Sequence, residues 1–347
     1  MSQRLFRPVQ SASLILLGVL LVTIVVATDV GAIVINGSAW LFWLEPLDPE
    51  PFVVGQRHVL WNIRIPRVLF AGLIGASLGF AGALTQALFR NPLAEPGLLG
   101  VSSGAACAAS LSIVFLTQFP GLAWLSGHWL LLPSIAFFGA VFVCLVLDRL
   151  SRTWMAGSVG GLLLTGIAVN ALAGAVIGLC AYMATDTQLR SLTFWTLGSL
   201  AGASWTLIAG VSGLFVSIWI ATRPLIQSLN ALMLGESIAR HIGVCLPRLR
   251  LRVILMVAGL AGFAVAFCGV IGFIGLAAPH LVRLVTGADL RLVLSRSAMV
   301  GAILLICADA FARSIAVPAE VPVGIFTALL GSAFFFWLLG RHRQGLA

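Results

Sequence analysis

The stretch RIPRVLFAGLIGASLGFAGALTQALFRNPLAEPGLLG, residues 64–100, decides the fold. Its first part is apolar over about 20 residues, the length that crosses a hydrocarbon core as a helix. Gly75, Gly79 and Gly82, with Ala71, Ala76 and Ala83 between them, give it the small-residue face that lets helix backbones approach closely in lipid. Packing is the favoured reading of those glycines. Its second part gathers Pro92, Pro96, Gly97 and Gly100, so the helix must stop and restart there. In a bilayer such a break is tolerated only against protein or a water-filled path, although an ordinary tight turn fits the same spacing.

The rest of the chain repeats the first of these patterns. Of 347 residues 60% are hydrophobic and 9% charged, with a mean hydropathy of +1.10, where soluble domains carry roughly 25% charge. A soluble fold is excluded. Threading from a cytoplasmic N-terminus gives an all-α, polytopic protein of ten helices at 12–34, 67–88, 97–118, 130–148, 157–184, 205–222, 251–268, 270–286, 297–316 and 322–340. Residues 1–347 then form one transmembrane domain with both termini cytoplasmic and 223–250 as a cytoplasmic segment. Arg4, Arg7 and the apolar run 12–27 have the look of a signal peptide with a small-residue site near Ala32, but the run is long and more spans follow, so an uncleaved first helix is expected. The stretch 261–280 faintly echoes 79–100 in opposite orientation, the mark of an inverted repeat.

All twenty basic residues are Arg. Without Lys the chain cannot build an ordinary phosphate-binding Walker loop, so ATP-driven work needs a partner. The threading puts fifteen of the twenty on the cytoplasmic side, as the positive-inside rule demands. Arg57, Arg64, Arg67, Arg190 and Arg313 stay outside, either as interfacial anchors or as a cationic surface for an acidic partner. Asp309 and Arg313 are four residues apart on one helix and are expected to pair, since an uncompensated charge at mid-bilayer costs at least about 2.5–3.5 kcal/mol. The six Cys never form a C-x-x-C pair and read as buried small hydrophobes. LNALMLGESIARHIGV, residues 229–244, is amphipathic, broken at Gly235, with Glu236, Arg240 and His241 at helical intervals. It reads as short helices outside the bilayer whose apolar face receives a cytoplasmic protein.

With RIPRVLFAGLIGASLGFAGALTQ (64–86), RNPLAEPGLLGVSSGA (90–105), LGESIARHIGV (234–244), GVIGFIGLAAPHLVRLVTGADLR (269–291) and EVPVGIFTALLGSAFFFWLL (320–339), the chain resembles the permeases of iron-siderophore, haem and cobalamin ABC importers, collinearly from about Leu60 to Arg341. The resemblance implies a type II importer permease fold in the bacterial inner membrane, a homodimer with one path between the copies, two cytoplasmic ATPase subunits and a periplasmic binding protein, with no nucleic acid among its partners. It implies that Arg64, Arg67 and Arg313 meet acidic residues of the binding protein. It places ATPase coupling at Gly235, Glu236, Ala239, Arg240 and Gly243, and the cytoplasmic gate at Asn91 and Leu93 with Ser158 and Val159. Residues 157–166 depart from the polar residues of the cobalamin branch there. Residues 166–205 look most like the haem branch, in which Arg190 lines the path and suits a haem propionate. The implied cargo is haem, with ferric siderophore or cobalamin the alternative, and no cofactor is permanently bound.

Tyr182 and Met183 are able to ligate haem iron, but an interfacial aromatic beside a packing Met is the favoured reading. His58, His128 and His280 are not assigned to metal. Two other classes compete: an ion-coupled secondary transporter, for which Asp309 is the candidate proton carrier, and a membrane-embedded enzyme, for which no H-E-x-x-H or nucleophile–base pair exists.

Overall fold

The computed structural model describes residues 3–31, 40, 51–116, 128–155, 158–316 and 319–343. Among these the secondary structure is helical: α1 (Gln3–Asp29), α2 (Pro51–Val59), α3 (Ile65–Phe89), α4 (Val101–Phe115), α5 (Leu131–Trp154), α6 (Val159–Met183), α7 (Asp186–Leu197), α8 (Trp205–Thr222), α9 (Ile226–Leu234), α10 (Glu236–His241), α11 (Leu246–Cys268), α12 (Ile274–Thr286), α13 (Leu290–Ser314) and α14 (Val323–Arg343).

The small-residue face quoted above sets the centre of the bundle. Twenty of the 25 residues of α3 are buried, and α13 runs antiparallel along it: Gly75 lies against the backbone of Gly301, Gly79 against that of Ser297. On the same helix Gly82 touches the backbone of Gly275, at the start of α12, and Gln86 Nε2 donates to the carbonyl of Leu276 at 3.3 Å. The two stretches 79–100 and 261–280 are therefore packed against each other. Lipid offers no hydrophobic drive between helices, so van der Waals contact between close backbones is what holds this trio.

Seven helical stretches among the described residues are long and apolar enough to cross a membrane: Ala12–Asp29, Val54–Phe89, Leu131–Trp154, Val159–Met183, Trp205–Leu234, Leu246–Cys268 and Leu290–Ser314. The expected ten is thus corrected to seven by length. Two of the other expected spans fall on shorter apolar helices, Val101–Phe115 and Ile274–Thr286, and the third on the apolar part of α14, Val323–Phe336. The cause is local. A 3-10 turn at Pro96–Leu99 and left-handed Gly100 (φ 76) delay α4, and left-handed Phe273 (φ 65) delays α12.

Other ends differ from expectation as well. The second span starts not at 67 but at Val54, because α2 runs through a π-turn at Leu60–Arg64 into α3. In that turn the Ile65 N–H donates to the Leu60 carbonyl, five residues back, just where Pro66, which has no N–H to give, would interrupt an α-helical ladder. The first helix ends at Asp29, and the site near Ala32 lies outside the described residues. α7 was not expected. Its signal is in the sequence: Thr185 and Gln188 form a reciprocal capping box, and Gln188 also donates to the last carbonyls of α4, at Ile113 and Val114.

Candidate functional site

Three places on this scaffold bring polar groups together. At the N-terminal end of α3, Arg67 donates from Nε (3.1 Å) and Nη2 (2.9 Å) to Asp309, and from Nη1 to both carboxylate oxygens of Glu320 at 2.8–2.9 Å. Arg313 Nε pairs with the other side of Asp309 at 3.1 Å, as its spacing led one to expect. Arg64 donates to the carbonyls of Asp29 (2.7 Å) and Thr28, and Arg313 to those of Ala27 (3.1 Å) and Val30. These are the open carbonyls at the C-terminus of α1, the negative end of its dipole, which attracts cations. Arg64, Arg67 and Arg313 are therefore buried, at 4%, 7% and 8% exposure, rather than displayed. They join α1, α3 and α13, with Glu320 the half-exposed member.

The second place is the turn between α3 and α4. Arg90 caps α3 with a left-handed backbone (φ 52), and Asn91 folds the turn by accepting the Leu93 N–H on Oδ1 at 2.9 Å. Leu93 is exposed. Ser158 is the N-cap of α6, its hydroxyl accepting from the Gly161 N–H at 3.0 Å, and Val159 packs on the core. α6 meets the turn at Gly97, to whose carbonyl Asn170 Nδ2 donates at 3.3 Å, while Ser103 Oγ donates to Asn170 Oδ1 at 2.6 Å. Beside this clasp lies a cavity of about 260 Å³ that Glu95, Ser103, Asn170 and Phe273 help to line. No ion pair reaches Glu95 among the described residues, and burial pushes its carboxyl pKa up.

The third place is the α9–α10 pair, with Gly235 (φ 139) between the helices and Gly243 (φ 86) after them. Both conformations suit glycine, which has no Cβ to clash. Ala239 is fully buried, whereas Leu234, Ile238 and Ile242 stand exposed, as does Arg240. Glu236 turns inward: Oε1 accepts from Arg250 at 2.8 Å and from Arg90 at 3.4 Å, and Oε2 lies 3.6 Å from Arg240. Sequence reasoning missed Arg90, Arg250, Glu320 and Asn170, since their partners lie elsewhere in the chain. Arg190 is exposed on α7, and Tyr182 and Met183 are exposed at the end of α6.

An apolar bundle whose central helix breaks at a capped turn, with a compact helical pair beside the break, is the architecture of a polytopic membrane protein. The FecCD transport family matches residues 14–341, and the chain belongs to that family, as a polytopic protein of the bacterial inner membrane and the permease subunit of an ABC importer. It is 45% identical over 287 residues to the hemin transport system permease protein HmuU of Yersinia pestis, covering 83% of this chain and 84% of that one. It is 38% identical over 336 residues to the vitamin B12 import system permease protein BtuC of Vibrio cholerae, covering 96% and 95%. Among solved structures an inward-facing ABC transporter of metal-chelate type superposes with a TM-score of 0.80 at 30% identity, over 96% of this chain and 99% of that one. PsaBC from Streptococcus pneumoniae gives 0.55 at 18% identity over 82% and 93%, a likeness of fold alone.

Proposed function

We propose that this permease moves an iron-bearing tetrapyrrole, haem, from the periplasm to the cytoplasm, with ATP hydrolysed by a separate subunit. The observation that carries the reading is the 45% identity to a hemin permease over more than four fifths of both chains. The exposed Arg190 on α7 supports it, as a cation placed to steer a propionate. A second reading, cobalamin, is favoured by the vitamin B12 relative, whose alignment covers 96% of this chain. Haem is here a substrate and not a resident cofactor. The absorption spectrum of the cognate binding protein as purified decides the matter. A haem spectrum is expected, a corrin spectrum would select cobalamin, and uptake into proteoliposomes driven by a proton gradient without the ATPase would defeat both.

In this reading all ten apolar helices cross or enter the bilayer, with α4 and α12 as short members that end inside it against protein. A second copy completes the path. The face of α6 bearing Gly160, Gly174 and Gly178, where an added Cβ would meet nothing within 4 Å, is open for it. The ATPase sits on Gly235, Arg240 and Gly243 with the exposed Leu234, Ile238 and Ile242, while Ala239 anchors the pair from its buried side. The turn at Asn91 and Leu93, with Ser158 and Val159, forms the cytoplasmic gate.

The binding protein docks over the cluster of Arg64, Arg67 and Arg313. Because Glu320 already holds one edge of Arg67, an incoming carboxylate competes with it. Replacing Glu320 by Ala is therefore expected to tighten the complex with the binding protein by about two- to fivefold, within the range of about 0–1 kcal/mol typical of exposed ion pairs. Weaker or unchanged binding in surface plasmon resonance would argue against Arg67 as a docking group.

A further inference from the structure

The inward turn of Glu236 carries an inference that rests on this transport reading and deepens it. α10 has six residues, bounded by Gly235 and Gly243, both at positive φ. A segment joined to its neighbours by two glycines is free to tilt as a unit. Its outward side chains, Ile238, Arg240 and Ile242, are exposed. Glu236 is not: only 21% of its side chain is exposed, and one of its oxygens is shared by Arg250 on α11 and Arg90 at the end of α3. Arg90 in turn is the first residue of a folded turn. The Asn91 N–H donates to the Gln86 carbonyl, the Leu93 N–H to the Asn91 side chain and the Ala94 N–H to the Asn91 carbonyl, so residues 90–94 move together.

Arg90 adopts a left-handed conformation, one of two such non-glycine residues among those described. That conformation is costly for a side chain with a Cβ, and glycine would fill it more easily. The guanidinium must therefore supply something that glycine would not. We propose that Glu236 is a positioning residue that ties α10 to the gate-side turn through Arg90, so that displacement of α10 by the ATPase is delivered to Asn91 and Leu93. Arg250 is the fixed pivot of the junction, its side chain 7% exposed and its bond to Glu236 the shorter, at 2.8 Å against 3.4 Å for Arg90.

The backbone conformation itself supplies the test. Arg90→Gly keeps the left-handed turn and removes only the side chain, and Arg90→Lys returns a positive charge. The full importer, with its ATPase subunits and binding protein, is reconstituted in proteoliposomes, and uptake per ATP hydrolysed is measured with haemin or cyanocobalamin, whichever the binding protein carries. Arg90→Gly is expected to assemble with the ATPase and hydrolyse ATP while uptake per ATP falls about fivefold or more, the lower end of the range for site-to-site coupling. Arg90→Lys should recover much of that loss. Adding Arg90→Gly to a Glu236→Gln importer should cost nothing further, because the link to Arg90 is already gone. Wild-type uptake per ATP in Arg90→Gly overturns the inference, as does a loss matched by failure to co-purify with the ATPase, which would mark Arg90 as merely structural. A wild-type importer that takes up neither probe on ATP addition would overturn the transport reading and this one with it.

Discussion

Asp309→Ala is expected to destabilise the permease by about 3–5 kcal/mol, the range for removing one partner of a buried ion pair. Asp309 is 1% exposed, accepts from Arg67 and is ion-paired with Arg313. Without it Arg67 keeps Glu320, but the two buried guanidinium groups lose the carboxylate that lies between them. The same loss releases Arg313 from the position in which it donates to the carbonyls of Ala27 and Val30, so the end of α1 should loosen with it. The measurement is the midpoint of thermal unfolding in detergent, followed by limited proteolysis near residue 30. Asp309→Asn keeps an acceptor and should fall between the two. An Asp309→Ala protein as stable as wild type would mean that the arginines do not depend on this carboxylate.

Gly82→Val should be at least as damaging, by a different route. A Cβ at position 82 would overlap the backbone of Gly275 at the start of α12. Backbone cannot move aside as the tip of a flexible side chain does, so α3 and α12 must separate and lose contact along their length. Overpacking of this kind costs about 3 kcal/mol or more where nothing can give. Loss of monodisperse protein on size-exclusion chromatography is the expected result. Gly18→Ala is the control, since nothing lies within 4 Å of an added Cβ there, and it should leave the protein unchanged or slightly steadier. If the two variants behaved alike, close approach of α3 and α12 would not be what holds the bundle.

What the sequence made legible follows from which interactions are local. The break at residues 90–100, the paired short helices around Gly235 and the Asp309–Arg313 pair were all readable, because proline, glycine and charge spacing act within a few residues. The number of full-length crossings was not, since the left-handed residues that shorten α4 and α12 are Gly100 and Phe273, and nothing in a single sequence announces that a Phe will adopt that conformation. The arginine cluster was only half legible. Charge asymmetry set aside five arginines and the family resemblance picked Arg64, Arg67 and Arg313 from them, but burial follows from their partners, and Asp309 lies 242 positions from Arg67. The same holds for Glu236: its place in an amphipathic segment suggested an outward contact, whereas Arg250 and Arg90 draw it inward.

The antiparallel seating of α3 on α13 has a mechanical corollary. Arg67 and Arg90 stand near opposite ends of one helix, some 35 Å apart at the helical rise of about 1.5 Å per residue. Locked backbone to backbone at Gly75 and Gly79, the pair behaves as a stiff lever and not as a string of independent contacts. A rocking of only about 5° at one end carries the other by about 3 Å over that length, enough to change which carboxylate an arginine holds. The two ends of the central helix are thus joined by a single rod, and a displacement at one end reaches the other without passing through the loops.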